Sequence, residues 1–201
     1  MKKLVPIFLI FIVYLSSAAD KNSVFKEVKA KYSNPESVSM NFAMEGNSSV
    51  SGKIIASEDN KYRITVPGRI ITCNGKTIWN YSNDDANVII SNFQSHSENA
   101  SPERIFFDVM DGYEPVSLKK VSSTTGASNY ELALKPIKEK IADMSKIVLY
   151  LDRDNQIIKV GIESLYGFEV WKVSNLKVNI PLAESEFVFN PPEGTEIIDL
   201  R

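Results

Sequence analysis

The chain has very few of the residues from which enzyme and metal sites are usually built. Its 201 residues include one cysteine, Cys73, and one histidine, His96. A single cysteine excludes an internal disulfide, and no ligand spacing such as CxxC or HExxH occurs. His96 lies in the polar loop SHSEN, where it is expected to be solvated. We therefore expect no metal, no cofactor and no enzyme activity, although paired carboxylates of a hydrolase remain possible because they can come from any strands.

An excess of charge of one sign is also missing. The 23 basic and 25 acidic residues give a formal net charge of -2. A surface that binds nucleic acid needs a clear excess of lysine and arginine. No nucleic-acid partner is therefore expected.

Long apolar runs are absent except near the start, where one short run resembles a secretory leader. Lys2 and Lys3 precede an apolar stretch at 4–15, and small residues follow at 16–19. This pattern predicts a signal peptide over residues 1–19, cleaved after Ala18 or Ala19, because a bilayer span needs about 20 apolar residues. A membrane anchor is the competing interpretation. No cysteine near the cleavage site could carry acyl chains, so we expect residues 20–201 to form one exported domain.

The rest of the chain contains two helical segments among many short alternating ones. Spacing of apolar residues predicts a helix over Lys21–Tyr32 and a second helix that begins near Ser101 and ends before Asp111-Gly112. Residues 136–142 fit either a loop or one helical turn. Gly, Asn, Asp or Pro occurs in nearly every gap, which favours an antiparallel meander. The predicted strands are Val38–Met44, Ser49–Ala56, Lys61–Val66, Arg69–Cys73, Lys76–Tyr81, Asn87–Ile90, Val116–Val121, Tyr130–Lys135, Lys146–Leu151, Gln156–Ser164, Phe168–Val178 and Glu186–Asn190.

The predicted fold is an α+β domain in which the helices lie on one face of a curved sheet. The most informative segment is 61–81, KYRITVPGRIITCNGKTIWNY. In its first strand Tyr62, Ile64 and Val66 alternate with polar residues, so this strand has one apolar face. Trp79 and Tyr81 also share a face, and the sequence leaves open which face of the sheet that is. An ordinary core and an apolar pocket would use the same residue types.

A tight turn is predicted at Asn74-Gly75, with positive φ at both residues. Cys73, just before it, is interpreted as a small apolar strand residue.

Two separated motifs resemble the LolA family, whose members carry lipoproteins through the periplasm to the outer membrane. The family has a run of the type PNKFRW, then P or PG, then IVSDGKTLWxY, and it closes with FxFxPPxGxxVxD. The residues that match the first motif are Asn60, Lys61, Tyr62, Arg63, Gly75, Lys76, Thr77, Trp79 and Tyr81; those that match the second are Phe187, Phe189, Pro191, Pro192, Gly194 and Asp199. The similarity extends over essentially all of the chain after the leader.

The resemblance implies an unclosed β-barrel, a strongly curved antiparallel sheet with α-helices that form a lid over its hydrophobic concave face. It implies that acyl chains of lipoproteins bind in this cavity, that the protein is a periplasmic monomer, and that its partners are acylated lipoproteins, an inner-membrane lipoprotein-releasing transporter and an outer-membrane acceptor. The residues expected to line the cavity are Tyr62, Ile64, Val66, Trp79 and Tyr81 from the sheet, and Phe106, Val109 and Met110 from the second helix.

One position departs from the family pattern. The family often has an arginine two residues before the asparagine of its motif, where it is thought to hold the lid to the sheet; this chain has Glu58 there, followed by Asp59. The resemblance therefore leaves the lid contact open. It also leaves open a relative of the same fold that binds another lipid or glycolipid, or that senses lipoproteins in the cell envelope.

Overall fold

A computed structural model describes residues 20–33, 35–46, 50–93, 112–121, 130–137, 144–165 and 167–201. The predicted leader at 1–19 and the predicted second helix lie outside these residues. Within them the chain forms one α-helix, twelve strands and a short 3-10 helix at Glu184–Phe187. The elements are α1 (Lys21–Tyr32), β1 (Ser37–Met44), β2 (Ser51–Ser57), β3 (Lys61–Val66), β4 (Arg69–Asn74), β5 (Thr77–Ser82), β6 (Asn87–Asn92), β7 (Tyr113–Lys120), β8 (Tyr130–Pro136), β9 (Met144–Leu151), β10 (Ile157–Ser164), β11 (Gly167–Val178) and β12 (Glu196–Asp199).

Helix α1 has the bounds that its sequence predicts. The Asp20 side chain caps its first turn by accepting a hydrogen bond from the backbone N–H of Ser23, which satisfies one of the free N–H groups there. Lysines in the last turn lie where the helix dipole favours positive charge. The apolar side chains that recur at helical spacing are the ones that are buried, namely Val24, Phe25, Val28 and Tyr32.

All twelve strands form a single sheet in the order β12-β6-β5-β4-β3-β2-β1-β11-β10-β9-β8-β7. Two antiparallel meanders, β1 to β6 and β7 to β11, are joined where β1 pairs with β11. The edge strands β12 and β7 are not paired with each other, so the sheet is unclosed. The predicted open sheet is confirmed.

The packing of α1 shows why the sheet is curved. One continuous apolar cluster joins the buried side of α1 to side chains from eight strands that are adjacent in the sheet, in the order β3-β2-β1-β11-β10-β9-β8-β7. Eight flat strands would span about 34 Å at the usual spacing, whereas a helix is about 10 Å across. The sheet is therefore curved, and α1 lies on the same side as this cluster. We call the side that faces α1 the inner face and the opposite side the outer face.

The last predicted strand is wrong. Residues 186–190 contribute to the 3-10 helix Glu184–Phe187 and to extended chain, and the final strand is β12, which pairs with β6 in parallel. Phe187 and Phe189 are both buried, so their alternation is real. Its cause is that this segment packs on the outer face of the sheet, where burial produces a period of two without strand pairing. The sheet is consequently antiparallel except at this edge.

The turn at Asn74-Gly75 also differs from its prediction. Only Gly75 has a positive φ, at 86°. The Asn74 side chain instead accepts hydrogen bonds from the N–H groups of Lys76 and Thr77, at 3.0 and 2.8 Å, and so replaces a second left-handed residue. Two consecutive left-handed residues do occur in the β2–β3 turn, at Asp59 and Asn60.

Candidate functional site

The register of the strands determines which side chains share a face. Directly paired residues of neighbouring antiparallel strands point to the same side. Ile54 of β2 pairs with Ile64 of β3, Ile64 with Ile71 of β4, Ile71 with Asn80 of β5, and Asn80 with Ile89 of β6. Because Ile54 is a fully buried member of the cluster around α1, this whole row lies on the inner face.

The three predicted residues of β3 lie together on this face. Ile64 and Val66 pack against the cluster around α1, and Tyr62 pairs with Ala56 and Cys73, which are both buried on the inner side. Tyr62, Ile64 and Val66 are only half-buried. They therefore lie at the margin of the core and retain apolar surface for further contact.

Strands β4 to β6 extend this apolar surface. Ile71 and Ile78 are half-buried on the inner face, and Ile89 is 37% exposed. We call the six residues together the inner apolar strip: Tyr62, Ile64, Val66, Ile71, Ile78 and Ile89. The sequence contained a signal for Ile71. A two-residue turn at Pro67-Gly68 pairs Val66 with Arg69 and hence Ile64 with Ile71.

The prediction that Trp79 and Tyr81 line the same cavity as the residues of β3 is wrong. Tyr81 pairs with Ile70, and Ile70 pairs with Thr65, which points away from Ile64. Both aromatic side chains are therefore on the outer face. Alternation within β5 correctly showed that they face the same way, but it did not relate β5 to β3.

The outer face of these strands is covered by the end of the chain. Tyr81, Val88, Ile90 and Phe189 form a second buried cluster, against which Ile70 and Trp79 pack. The rings of Tyr81 and Phe189 are 5.1 Å apart between centroids and inclined by 34°, within the range of stabilising aromatic pairs. The two motifs that carry the resemblance thus meet here and stabilise the fold.

A surface ion pair also joins the first motif to the segment just before the second motif. The Lys61 ammonium donates to both carboxylate oxygens of Glu184, at 2.8 and 3.0 Å. This hydrogen bond raises the pKa of Lys61 above its usual value. Arg63 donates to the backbone oxygen of Glu186, at 3.5 Å. These contacts hold the segment around the 3-10 helix against the outer side of β3.

The chemistry available on the inner face is that of apolar contact, with Asn80 as a polar neighbour between Ile71 and Ile89. Within the described residues, no group of three or more His, Cys, Asp or Glu side chains is placed to hold a metal ion. Burying apolar surface yields about 25 cal/mol per Å², so a half-buried apolar strip is suited to hydrocarbon. In the same part of the chain, no helix is both long and apolar enough to cross a bilayer.

Other sequence candidates have simpler positions. Cys73 is fully buried in β4, as a small strand residue is expected to be. Glu58, at the position of the family arginine, is exposed in the turn between β2 and β3. Phe106, Val109 and Met110, the predicted lid contacts, lie outside the described residues, as does His96.

Comparisons with known proteins agree with this arrangement. No protein-family model matches the chain. A protein of Francisella tularensis named outer-membrane lipoprotein carrier protein is 24% identical over 209 aligned positions, which cover 99% of this chain and 98% of the relative. A protein of Psychromonas ingrahamii with the same name is 26% identical over 223 positions, which cover all of both chains.

Among solved structures, an uncharacterized conserved protein of Thermus thermophilus is similar with a TM-score of 0.50. It is 12% identical, and the alignment covers 89% of this chain and 98% of that one. At this identity the likeness concerns the fold alone. The sequence relatives confirm the resemblance that the two motifs predict: along its whole length this chain is similar to proteins named outer-membrane lipoprotein carrier protein.

Proposed function

We propose that this protein is a non-enzymatic lipoprotein carrier that binds acyl chains on the inner apolar strip. The observation that carries the proposal is the half-buried state of Tyr62, Ile64 and Val66 beside a fully packed core. Ile54, two strands from Ile71 on the same face, is 0% exposed, so burial decreases from the core towards these residues. Relatives named as lipoprotein carriers over the full length support the same conclusion.

The energetics suit temporary binding. Each methylene that leaves water contributes about 0.8 kcal/mol, so acyl chains need no polar partner or covalent bond to be held. The unclosed sheet offers a route for entry and exit between its two unpaired edges, β12 and β7. A carrier must release its cargo, and partial exposure limits the area that each chain buries.

The proposed route runs through the periplasm. The carrier accepts acylated lipoproteins from an inner-membrane lipoprotein-releasing transporter and delivers them to an outer-membrane acceptor. The leader pattern at residues 1–19 supports export. We further propose that the protein acts as a monomer.

The direct test is release of lipoproteins from spheroplasts, with and without the purified protein. The expected result is soluble complexes that contain lipoprotein and carrier in equal amounts. If no lipoprotein is solubilised, the carrier function is wrong.

A pair of neighbouring substitutions in β3 tests the face. Ile64→Glu places a carboxylate on the inner apolar strip, and because an unpaired charge strongly disfavours an apolar site, we expect binding of a fluorescent fatty acid to be abolished. Thr65→Glu is the matched control, since Thr65 is exposed on the outer face of the same strand. Both variants should keep the circular dichroism of the wild type. Equal fatty-acid binding by the two folded variants would show that the inner face is not the site.

A further inference from the structure

A groove on the outer face lies away from the inner apolar strip. It has a volume of about 740 Å³ and lies across β2, β1, β11 and β10. Three lysines line it, Lys53, Lys159 and Lys172, together with small polar residues such as Asn41 and Ser174. Its size is that of a site for a small ligand or a headgroup.

The lysines are arranged in a way that costs stability in the absence of an anion. Lys159 of β10 pairs directly with Lys172 of β11, and like charges opposite each other in a sheet repel. Glu45 relieves Lys159 with an ion pair of 2.7 Å. Neither Lys53 nor Lys172 has an ion-pair partner in the described part of the chain. The groove therefore retains positive charge.

The hairpin between β10 and β11 adds an exposed apolar tip beside the groove. Leu165 at the turn is 85% exposed and Phe168 is 48% exposed. The Phe168 ring lies over Gly161, where an added Cβ would be 2.5 Å from the ring. Phe168 and Lys172 share the outer face of β11 and are four residues apart, a separation of about 13 Å along the strand. The apolar side chains are thus at the tip of the hairpin, and the lysines are further from the tip along the strands.

The tip is at the end of the sheet where the inner apolar strip also ends. Met44, the last residue of β1, pairs with Trp171, so the hairpin extends beyond β1. On the other side of β1, Val66 and Phe42 both lie against Gly52. The β3–β4 turn after Val66 and the β10–β11 tip therefore lie at the same end of the sheet.

We propose that this end of the protein docks on a phospholipid surface, with Leu165 and Phe168 among the acyl chains and Lys159 and Lys172 on lipid phosphates. Headgroup regions are about 5 to 8 Å deep on each side of a bilayer, and a lysine side chain can reach across that distance towards the tip. Glu45 is already paired. The carboxylates at the level of the tip are Glu163, which lies opposite Phe168 and pairs with Lys146 of β9, and exposed Glu169, which follows Phe168 and points to the inner face. Docking in this orientation brings the end of the inner apolar strip close to the membrane.

The apolar contribution is tested by sedimentation of the protein with vesicles of phosphatidylcholine mixed with phosphatidylglycerol. Leu165→Ser should lower the partition coefficient about tenfold, because it removes most of one buried leucine side chain. Leu200→Ser is the matched control. Leu200 is 66% exposed and lies beside Ile90, towards the other end of the sheet, so its loss should leave binding unchanged.

The charge contribution is tested in the same assay. Lys172→Gln should lower binding to the mixed vesicles about fivefold, since a lysine near an anionic surface contributes about 1 kcal/mol. Binding to vesicles of phosphatidylcholine alone should not change. Lys120→Gln is the control, because Lys120 is exposed at the opposite end of β7 from this tip.

Three results would overturn the proposal. One is wild-type protein that does not sediment with either kind of vesicle. Another is an equal effect of the tip and control substitutions. The third is binding of inorganic phosphate in the groove, measured as NMR shifts of the amides around Lys53 and Lys172, by protein that does not bind vesicles. This result would indicate a site for free phosphate. The assay uses ligand-free protein, and Ile64→Glu should still bind vesicles, so its outcome is independent of the carrier function.

Discussion

Ile70 and Ile71 are neighbours in β4 with identical side chains, yet they lie in different environments. Ile70 points to the outer face and packs against the cluster that Phe189 covers. Ile71 points to the inner face next to Ile64 and is half-buried, as Ile70 is. The outer face is covered by the chain's own C-terminal segment, whereas the inner face of the same strands carries the strip that we propose to bind a ligand.

The comparison also separates most of the motif residues from the residues proposed to bind a ligand. Lys61, Tyr81 and Phe189 belong to the two motifs by which the family is recognised, and all three hold the C-terminal segment on the outer face. The residues proposed to bind acyl chains are mostly aliphatic positions between them. Recognition of the family therefore depends largely on residues that maintain the fold.

The largest expected effect is on the closed outer face. Phe189→Ala should lower the free energy of unfolding by about 3–5 kcal/mol, because it leaves a cavity beside Tyr81. Urea denaturation measures this. Val188→Ala is the control in the same segment, since Val188 is 44% exposed, and it should cost less than about 0.5 kcal/mol. Equal losses in the two variants would mean that the segment does not seal this face.

A smaller but more discriminating effect is expected from the two isoleucines of β4. Ile71→Ser should lower affinity for a fluorescent fatty acid about tenfold, the loss of one apolar contact. Ile70→Ser should leave that affinity unchanged and should lower the free energy of unfolding by about 1–2 kcal/mol. Fluorescence titration and urea denaturation of both proteins give the comparison. If the two affinities fall together, the faces do not differ in function.

The smallest effect concerns the ion pair on the outer side of β3. The ion pair raises the pKa of Lys61 in the folded protein above the value of 10.5 expected in the unfolded chain. The resulting contribution to stability is therefore fully present below pH 10.5 and is lost as the pH rises through the raised pKa. Glu184→Gln should bring the pKa of Lys61 back towards 10.5, as followed by NMR titration of the side chain. Glu186→Gln is the control, because only the backbone oxygen of Glu186 is used. A shift caused by both substitutions would argue against a specific Lys61–Glu184 contact.

The local elements were largely predictable. Helix α1 and strand β3 have the predicted bounds, and most other strands end within two residues of them; β7 begins at Tyr113 rather than Val116 because pairing with β8 continues to Pro136. These elements follow from periodicity and turn residues, which are local. The segment 186–190 was not predictable in this way, since burial on the face of a sheet and pairing within a sheet produce the same alternation.

The sequence by itself determined which residues of each strand point the same way, and it indicated the family through two motifs. Only the tertiary structure decided that Trp79 and Tyr81 lie opposite to Ile64, and that Ile78 and Ile89 join it. The physical reason is that alternation shows which residues of a strand share a face but not which face of the sheet that is. The face is decided by what packs on each side of the sheet. Here α1 packs on one side and the C-terminal segment, far from α1 in the chain, packs on the other.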